Sequence, residues 1–494
     1  MKAGETISIS KSEYERLLTL DSLTISLKFE VEYLKRQISD LKRMIFGSSR
    51  ERFVSTDDGQ GVLFDLGGEK TKPAEKEEIT YTRTKPRKKQ RPVRLELAPH
   101  LPRKEEVIEP ENLPEGAKKI GEAITEILEY EPSKLFVRKI RRIKYIVSSN
   151  DEKTEIAVAP LPTLPIPKGN AGAGLLSHIL ISKFVDHLPF YRQIQIFKRE
   201  GATIAESTMN GWFNATCRLL EPLYDTLKNR VLSTDYLMAD ETPIPVLTKD
   251  KPGSTHKGYH WVYYDPVNKR VLFDYRKSRS REGPEEMLKD FSGYLQTDGY
   301  AAYTNLKNKD KITLLACMAH ARRKFEHARE NDPVRSEEAL RMFGKLYDIE
   351  RYARKQEYDA KQIKELRQKK SVPILDEMEK WLKKQINETL PKSAIGEATA
   401  YTLSLWPRLR RYVEDGRFRI DNNLIENSIR PVALGRKNYL FAGSHQAARQ
   451  AAIIYSFLAT CKINNVEPFH WLKHTLEVIP DYPVNQLDQL LPQK

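Results

Sequence analysis

Between Leu232 and Cys317 the chain carries an order of apolar strands, turns and acids that few folds can accept. Tyr236-Leu-Met-Ala-Asp240-Glu-Thr-Pro-Ile-Pro-Val-Leu247 reads as a buried strand bearing an acid. Gly258 to Tyr264 and Val271 to Tyr275 read as two more strands, joined by the turn signal Asp265-Pro-Val-Asn268. A helix is expected over Glu285 to Phe291, then a strand from Gly293 that ends at Asp298. Ile312-Thr-Leu-Leu-Ala-Cys317 is a fifth apolar strand.

Three strands, a helix and a strand form the order of a ribonuclease-H-like α/β sheet. In that arrangement Asp240 and Asp298 end on adjacent central strands with converging carboxylates. A third acid comes from Asp421-Asn-Asn-Leu-Ile-Glu-Asn-Ser-Ile-Arg-Pro431. Read as a helix, Asn422, Asn423, Glu426, Asn427 and Arg430 share a polar face, and Ile425, Ile429 and Val432 form an apolar stripe beside it. Pro431 predicts a stop or kink at Arg430. Asn423-x-x-Glu426 also has the spacing of a helix capping box, so the block alone permits a purely structural role. With two strand-borne aspartates, however, Glu426 completes a set suited to two Mg²⁺ ions (Mn²⁺ as a substitute), because Mg²⁺ keeps most of its waters and needs few protein oxygens. Asp240, Asp298 and Glu426 are therefore the candidate catalytic and metal-binding residues.

The surroundings suit a polyanion. Basic residues exceed acidic ones to give a net charge of +15, which favours nucleic acid as partner. Arg322, Arg323 and Lys324 follow the fifth strand, and Arg430, Arg436 and Lys437 follow Glu426. Arg83 to Arg94 holds seven basic residues in twelve, Arg87, Lys88 and Lys89 among them, enough to neutralise several phosphates without reading sequence. Three distant cysteines, Cys217, Cys317 and Cys461, exclude a disulfide framework and fit a reducing cytosol. Cys317, His320 and His327 lack an evident fourth metal ligand. No apolar run is long enough for a membrane span, and no signal core opens the chain, so a cytoplasmic protein without membrane contact is expected.

The whole reads as a multidomain α+β protein. Residues 1–50 form a coiled-coil helix, since Leu27, Val31, Leu34, Ile38, Leu41 and Ile45 make a heptad seam that favours self-association. Residues 51–94 are a basic, disordered linker, and 95–160 a small β-rich module ended by Pro160-Leu-Pro-Thr-Leu-Pro-Ile-Pro167. Residues 161–230 are helix-turn-helix-like: a Gly201 turn, a short helix, then a helix capped by Ser207 or Thr208. A plain helical hairpin has the same pattern. The catalytic core spans 231–445 with a helical insertion at about 332–412, and 446–494 is a helical tail.

Several blocks taken together resemble the insertion-sequence-66 family of bacterial DDE transposases. They are Asp240-Glu-Thr, Gln296-Thr-Asp298-Gly-Tyr, Cys317-x-x-His320-Ala-Arg-Arg-Lys-Phe, Asp421-Asn-Asn-x-x-Glu426-Asn-x-Ile-Arg-Pro, Gly435-Arg-Lys-Asn-x-Leu-Phe-Ala-Gly-Ser444 and Cys461-Lys-Ile-Asn. The resemblance implies that Asp240, Asp298 and Glu426 are the catalytic triad, that the heptads serve multimerisation, and that a helix-turn-helix helps bind terminal inverted repeats. It also implies double-stranded DNA as substrate, accessory proteins encoded by the same element, and work at the bacterial nucleoid. The family usually carries a small zinc-binding module before the Pro-rich connector. The matching stretch here, around Pro110 to Tyr145, has no cysteine, so no zinc is expected. The rival functions are a metal-dependent nuclease of the same fold without strand transfer, and a DNA-binding protein that has lost catalysis.

Overall fold

The structure, a computed structural model, describes residues 97–493 except 98, 100, 111–116, 132–133, 151–152, 249–253, 305 and 307–308. The heptad helix, the basic linker and with it Arg87, Lys88 and Lys89 lie outside the described residues.

A four-stranded sheet comes first: β1 (Arg103–Ile108), β2 (Lys118–Glu131), β3 (Lys134–Asn150) and β4 (Lys153–Val158). β3 is its spine, antiparallel to β2 and β4 and parallel to β1. Alternation along β2 and β3 buries Leu128, Leu135 and Val137 in the main core, while Ile127 and Ile140 meet Leu164 in a small core of their own.

Three helices follow: α1 (Ala173–Phe184), α2 (Phe190–Arg199) and α3 (Glu206–Leu232). The segment between α2 and α3 differs from the sequence expectation. It contains no short helix, and Ser207 and Thr208 lie inside α3, whose N-cap is Ala205. Ala202 and Ile204 are buried there, and anchoring both in the core leaves the chain non-helical until Glu206.

The central sheet has the order β7-β6-β5-β8-β9, made of β5 (Tyr236–Leu247), β6 (Thr255–Asp265), β7 (Arg270–Arg276), β8 (Gly293–Thr297) and β9 (Ile312–Ala316). β5, β6 and β7 are antiparallel, and β5, β8 and β9 run parallel. The expected turn at Asp265 forms, with its carboxylate accepting from the N–H groups of Val267 and Asn268 at 3.0 Å each. The helix between β7 and β8, α4 (Glu282–Met287), starts earlier than the sequence suggested.

Beyond β9 come α5 (Met318–His327), α6 (Pro333–Lys355), α7 (Ala360–Glu388), α8 (Ala394–Ser404) and α9 (Trp406–Arg410), then α10 (Asn423–Tyr439), α11 (His445–Asn464) and α12 (Pro468–Val478). α11 covers the edge of the central sheet. The hydroxyls of Thr460 and Ser456 accept from Val271 N and Phe273 N at 3.1 and 2.8 Å, and Tyr224 of α3 donates to Phe273 O at 2.8 Å. Unpaired strand edges are aggregation sites, so these side chains both finish the sheet and fix the helices on it. The main core runs without a break from Leu101 to Leu491. No helix among the described residues is long and apolar enough to cross a membrane.

Candidate active site

β5 and β8 pair in parallel with Met238 opposite Gln296. That pairing stops there: Asp240 lies two residues further along β5 and Asp298 just past the end of β8, near enough for the Asp298 charge to act on the Asp240 carboxyl. Two acids thus meet at the end of the sheet's only parallel junction with its antiparallel half. Asp298 is held by its turn: its Oδ1 accepts from Tyr300 N at 2.8 Å, and its carbonyl accepts from the Tyr401 hydroxyl at 2.8 Å. Gly299 makes that turn at φ +97°, and a Cβ there would come within 2.8 Å of Leu405. Both facts favour glycine.

Glu426 arrives by a different route. The segment leading to α10 is stitched across the strands: Tyr236 Oη donates to Gln296 Oε1 at 2.5 Å and accepts from Arg419 N at 2.9 Å. Gln296 Nε2 donates to Arg419 O at 2.9 Å, and Met318 N to Ile420 O at 3.0 Å. The next turn opens α10, with Glu426 in its first turn. The capping-box alternative is not formed: the N-cap is Asn422, with no side-chain cap bond. α10 also runs through Pro431 to Tyr439. An interior proline costs about 3 kcal/mol, and burial of Ile425, Val432 and Gly435 on either side of it outweighs that.

The electrostatics of the site are those of crowded acids. Burial first, then the charges of Glu241, Asp298 and Glu426, push the Asp240 carboxyl well above the usual carboxylate range. Glu241 is raised by burial too, against the opposing pull of Arg279, whose guanidinium pairs with it at 2.5 Å. Arg279 also stacks on Tyr300, 4.0 Å from the ring centroid. His320 lies 3.9 Å and Arg323 3.8 Å from Glu426 oxygens. Burial lowers the His320 pKa, with Glu426 opposing. Glu426 Oε1, His320 Nδ1 and both polar side-chain atoms of buried Asn422 have no hydrogen-bond partner in the protein. Buried polar groups without partners are costly, and here they cluster beside three acids.

Among the described residues no group of three or more His, Cys, Asp or Glu could hold one metal ion. That count does not decide against Mg²⁺, which takes one or two carboxylates and completes its shell with water and phosphate.

The basic candidates divide. Arg323, Lys324, Arg430 and Lys437 are exposed. Arg322 is paired with Glu326 at 3.1 Å, and Arg436 donates to Thr242 Oγ1 at 3.1 Å and to the Pro243 carbonyl. Arg436 therefore ties α10 to β5, a role its sequence context did not show. Glu241, Arg279, Tyr300 and Tyr401 were not singled out from the sequence. Only the blocks Asp240-Glu-Thr and Gln296-Thr-Asp298-Gly-Tyr carried a signal for any of them, Glu241 and Tyr300, and Tyr401 reaches Asp298 from a helix over a hundred positions away.

The Transposase IS66 family pattern matches residues 168–450 of this chain, the stretch that contains all three acids and every strand between them. The chain belongs to the IS66 transposase family. The IS66 C-terminal element matches residues 456–493, and a pattern described as Transposase C of IS166 homeodomain matches 33–105. The chain is similar to two proteins of Sinorhizobium fredii described as uncharacterized. It is 32% identical to y4jD over 500 residues, covering 96% of this chain and 95% of the relative. It is 35% identical to y4qI over 429 residues, covering 83% and 78%. A 49-residue stretch is 41% identical to Escherichia coli YuaK, 10% of this chain and 52% of the relative.

Proposed function

We propose that this IS66-family protein is a DNA transposase that binds the terminal inverted repeats of its insertion sequence and carries out metal-dependent strand cleavage and transfer to target DNA. The observation that carries this reading is that Asp298, just past β8, and Glu426, in the first turn of α10, both bring their charges to bear on Asp240 of β5. A strand order with β5 central, two antiparallel strands to one side and two parallel to the other supports a ribonuclease-H-like core over 231–445, interrupted by the helices at about 332–412.

Asp240, Asp298 and Glu426 would together hold two Mg²⁺ ions, with Mn²⁺ as a substitute. The donor set fits: Asp240 is in an environment that disfavours its bare charge, Glu426 has an unpartnered oxygen, and a nearby cation would relieve both. When bound, the ions activate the attacking oxygen and stabilise the leaving oxygen of an in-line displacement. The protein's own contribution is placement. The Arg279–Glu241 pair holds back a fourth acid, His320 and Arg323 flank Glu426 without bonding to it, and Tyr401 fixes the Asp298 turn. Arg323, Lys324, Arg430 and Lys437 would contact phosphates, with Arg322 and Arg436 in supporting positions. No cysteine of the β-rich module is available for zinc.

The homeodomain-like match at 33–105 and the basic run containing Arg87, Lys88 and Lys89 support DNA contacts before the core, and residues 161–230 supply a second, helical DNA-binding region. Heptads within 1–50 would join protomers, and residues 446–494 buttress the core. Accessory proteins of the same element would act with it on nucleoid DNA in the cytoplasm.

The test is Mg²⁺- or Mn²⁺-dependent cleavage and joining of labelled duplexes copied from the DNA flanking the gene, comparing wild type with Glu426→Gln. Activity lost in the variant while DNA binding persists supports transposition. Cleavage without joining turns the reading to a nuclease. Binding without chemistry in the wild type turns it to a DNA-binding protein.

A further inference from the structure

At the far end of α10 the chain makes a turn that costs energy. Leu440 has φ 61° and ψ −46°, and Phe441 N donates to Tyr439 O at 2.6 Å. This is a γ-turn of the positive-φ kind, which is rare and strained. Such a conformation is worst for a bulky residue, and it persists only where its surroundings over-determine it. They do so here. Before the turn, Tyr439 is bonded through its hydroxyl to Tyr455, and its ring is covered by Lys183 at 4.6 Å. After it, Ala442 N donates to Pro245 O at 2.8 Å and Ala442 O accepts from Leu247 N at 2.9 Å, so residue 442 adds to the end of β5.

The strain does not serve the core. Leu440 is 63% exposed and Phe441 40% exposed, two large apolar side chains side by side at a rigid tip. The last turn of α10 brings exposed Lys437 and Asn438 beside them. Strain maintained to display apolar groups next to a cation suits a partner with charged rails and stacked apolar faces, and the net charge of +15 supports a polyanion.

Two independent rulers place this tip relative to the acids. From Glu426 to Leu440 the helix rises about 21 Å. From Asp240 to Val246, the residue bridged to Ala442, β5 advances about 20 Å. At about 3.4 Å per base pair, either length is roughly six base pairs of duplex.

We propose that Leu440 and Phe441 form a wedge that enters the DNA duplex and unstacks a base step about six base pairs from the phosphate held at Asp240, Asp298 and Glu426. This rests on the reading of those acids as a DNA-cleaving site. The wedge fixes the register of the duplex against the acids: Lys437 holds the backbone, the γ-turn presents the side chains, and β5 carries both the tip's anchor and Asp240.

The experiment uses the full chain and duplexes copied from the two flanks of the gene, with 2-aminopurine moved step by step away from the mapped cleavage position. Anisotropy reports binding, and Mg²⁺-dependent nicking reports chemistry in the same duplexes. With wild type, 2-aminopurine fluorescence rises several-fold only near the step about six base pairs from the nick. Phe441→Ala and Leu440→Gly abolish that rise while the duplex remains bound, and the nick loses its single position. Glycine accepts a positive φ, so Leu440→Gly keeps the thermal midpoint, and the lost signal is not misfolding. Val484→Ala, which trims another exposed apolar residue in the C-terminal segment, leaves the rise intact. A duplex that is bound and nicked without any rise near that step, or a rise that survives both substitutions, overturns the wedge and leaves the cleavage reading standing. Absence of both binding and nicking in the wild type overturns the cleavage reading, and the wedge with it.

Discussion

Arg367 and Glu350 form a two-pronged ion pair inside the protein, with Nε–Oε1 2.8 Å and Nη2–Oε2 2.7 Å. The Arg367 side chain is only 2% exposed, and its remaining donors go to the carbonyls of Tyr412, Asp415 and Phe418 at 2.8–2.9 Å. One side chain of α7 thereby binds α6 and the segment that delivers Glu426.

Removing it leaves a buried carboxylate and three carbonyls without their donor. Arg367→Met is expected to cost about 3–5 kcal/mol, the range for breaking one side of a buried pair. Urea unfolding measures this, and a loss below about 1 kcal/mol would sink the assignment. Arg367→Lys should rescue little, because an ammonium cannot reproduce the planar fork.

Asp240 separates stability from function. Its carboxyl is raised by burial and by three neighbouring acids, so near neutral pH its charge opposes folding. Asp240→Asn is expected to raise the thermal midpoint, by about 2–4 °C for each kcal/mol relieved, while abolishing strand cleavage. Added Mg²⁺ should raise the midpoint of wild type through binding to the folded state and leave the variant unmoved. An equal Mg²⁺ shift in both proteins would place the ion elsewhere.

Arg279 balances Glu241, whose side chain is 2% exposed although Arg279 itself is 45% exposed. Solvent screening of the arginine reduces the pair's worth, so Arg279→Ala is expected to cost about 1–2 kcal/mol, less than a fully buried pair. Adding Glu241→Gln to that variant should restore most of the loss, since the amide carries no charge to leave unpaired. A double-mutant cycle with no coupling between the two positions would refute the pairing.

His260 offers a pH test. It is wholly buried with both ring nitrogens unpartnered, among Phe273, Tyr275 and Tyr455. Burial, and secondarily Arg436, pushes its pKa down from 6.5 to about 3. Between those values the unfolded chain binds a proton that the folded one excludes, so stability falls as pH drops through that window. It is fully present above the unfolded value. The slope for one proton is about 1.4 kcal/mol per pH unit. From pH 7 to pH 4 the denaturant midpoint of wild type should fall relative to that of His260→Phe, and parallel curves would exclude the effect.

Local pattern was enough to mark β5 to β9, the Asp265 turn and the helices of the insertion, because alternation, turn residues and helical periodicity are set by neighbours within a few positions. It misled where long-range packing overrode it. Pro431 argued for a break that burial of Val432 and Gly435 prevents. Ser207 and Thr208 resembled caps, but Ala202 and Ile204, drawn into the core, set the start of α3 at Glu206. Arg436 looked like a phosphate ligand, and its Nη1 is bonded to β5 instead.

The sequence by itself determined the mixed α+β character, the basic balance and the family, since these depend on residue identity and short-range spacing; it put Asp240 at a strand end, whereas Asp240 lies inside β5. Only the tertiary structure decided that Met238 pairs with Gln296, that Arg367, Tyr236 and Gln296 hold the chain leading to Glu426, and that Asp298 and Glu426 come within electrostatic reach of Asp240. Strand register and the path of a connector are collective outcomes of hydrogen bonding and burial across the whole core, and no single stretch of sequence encodes them.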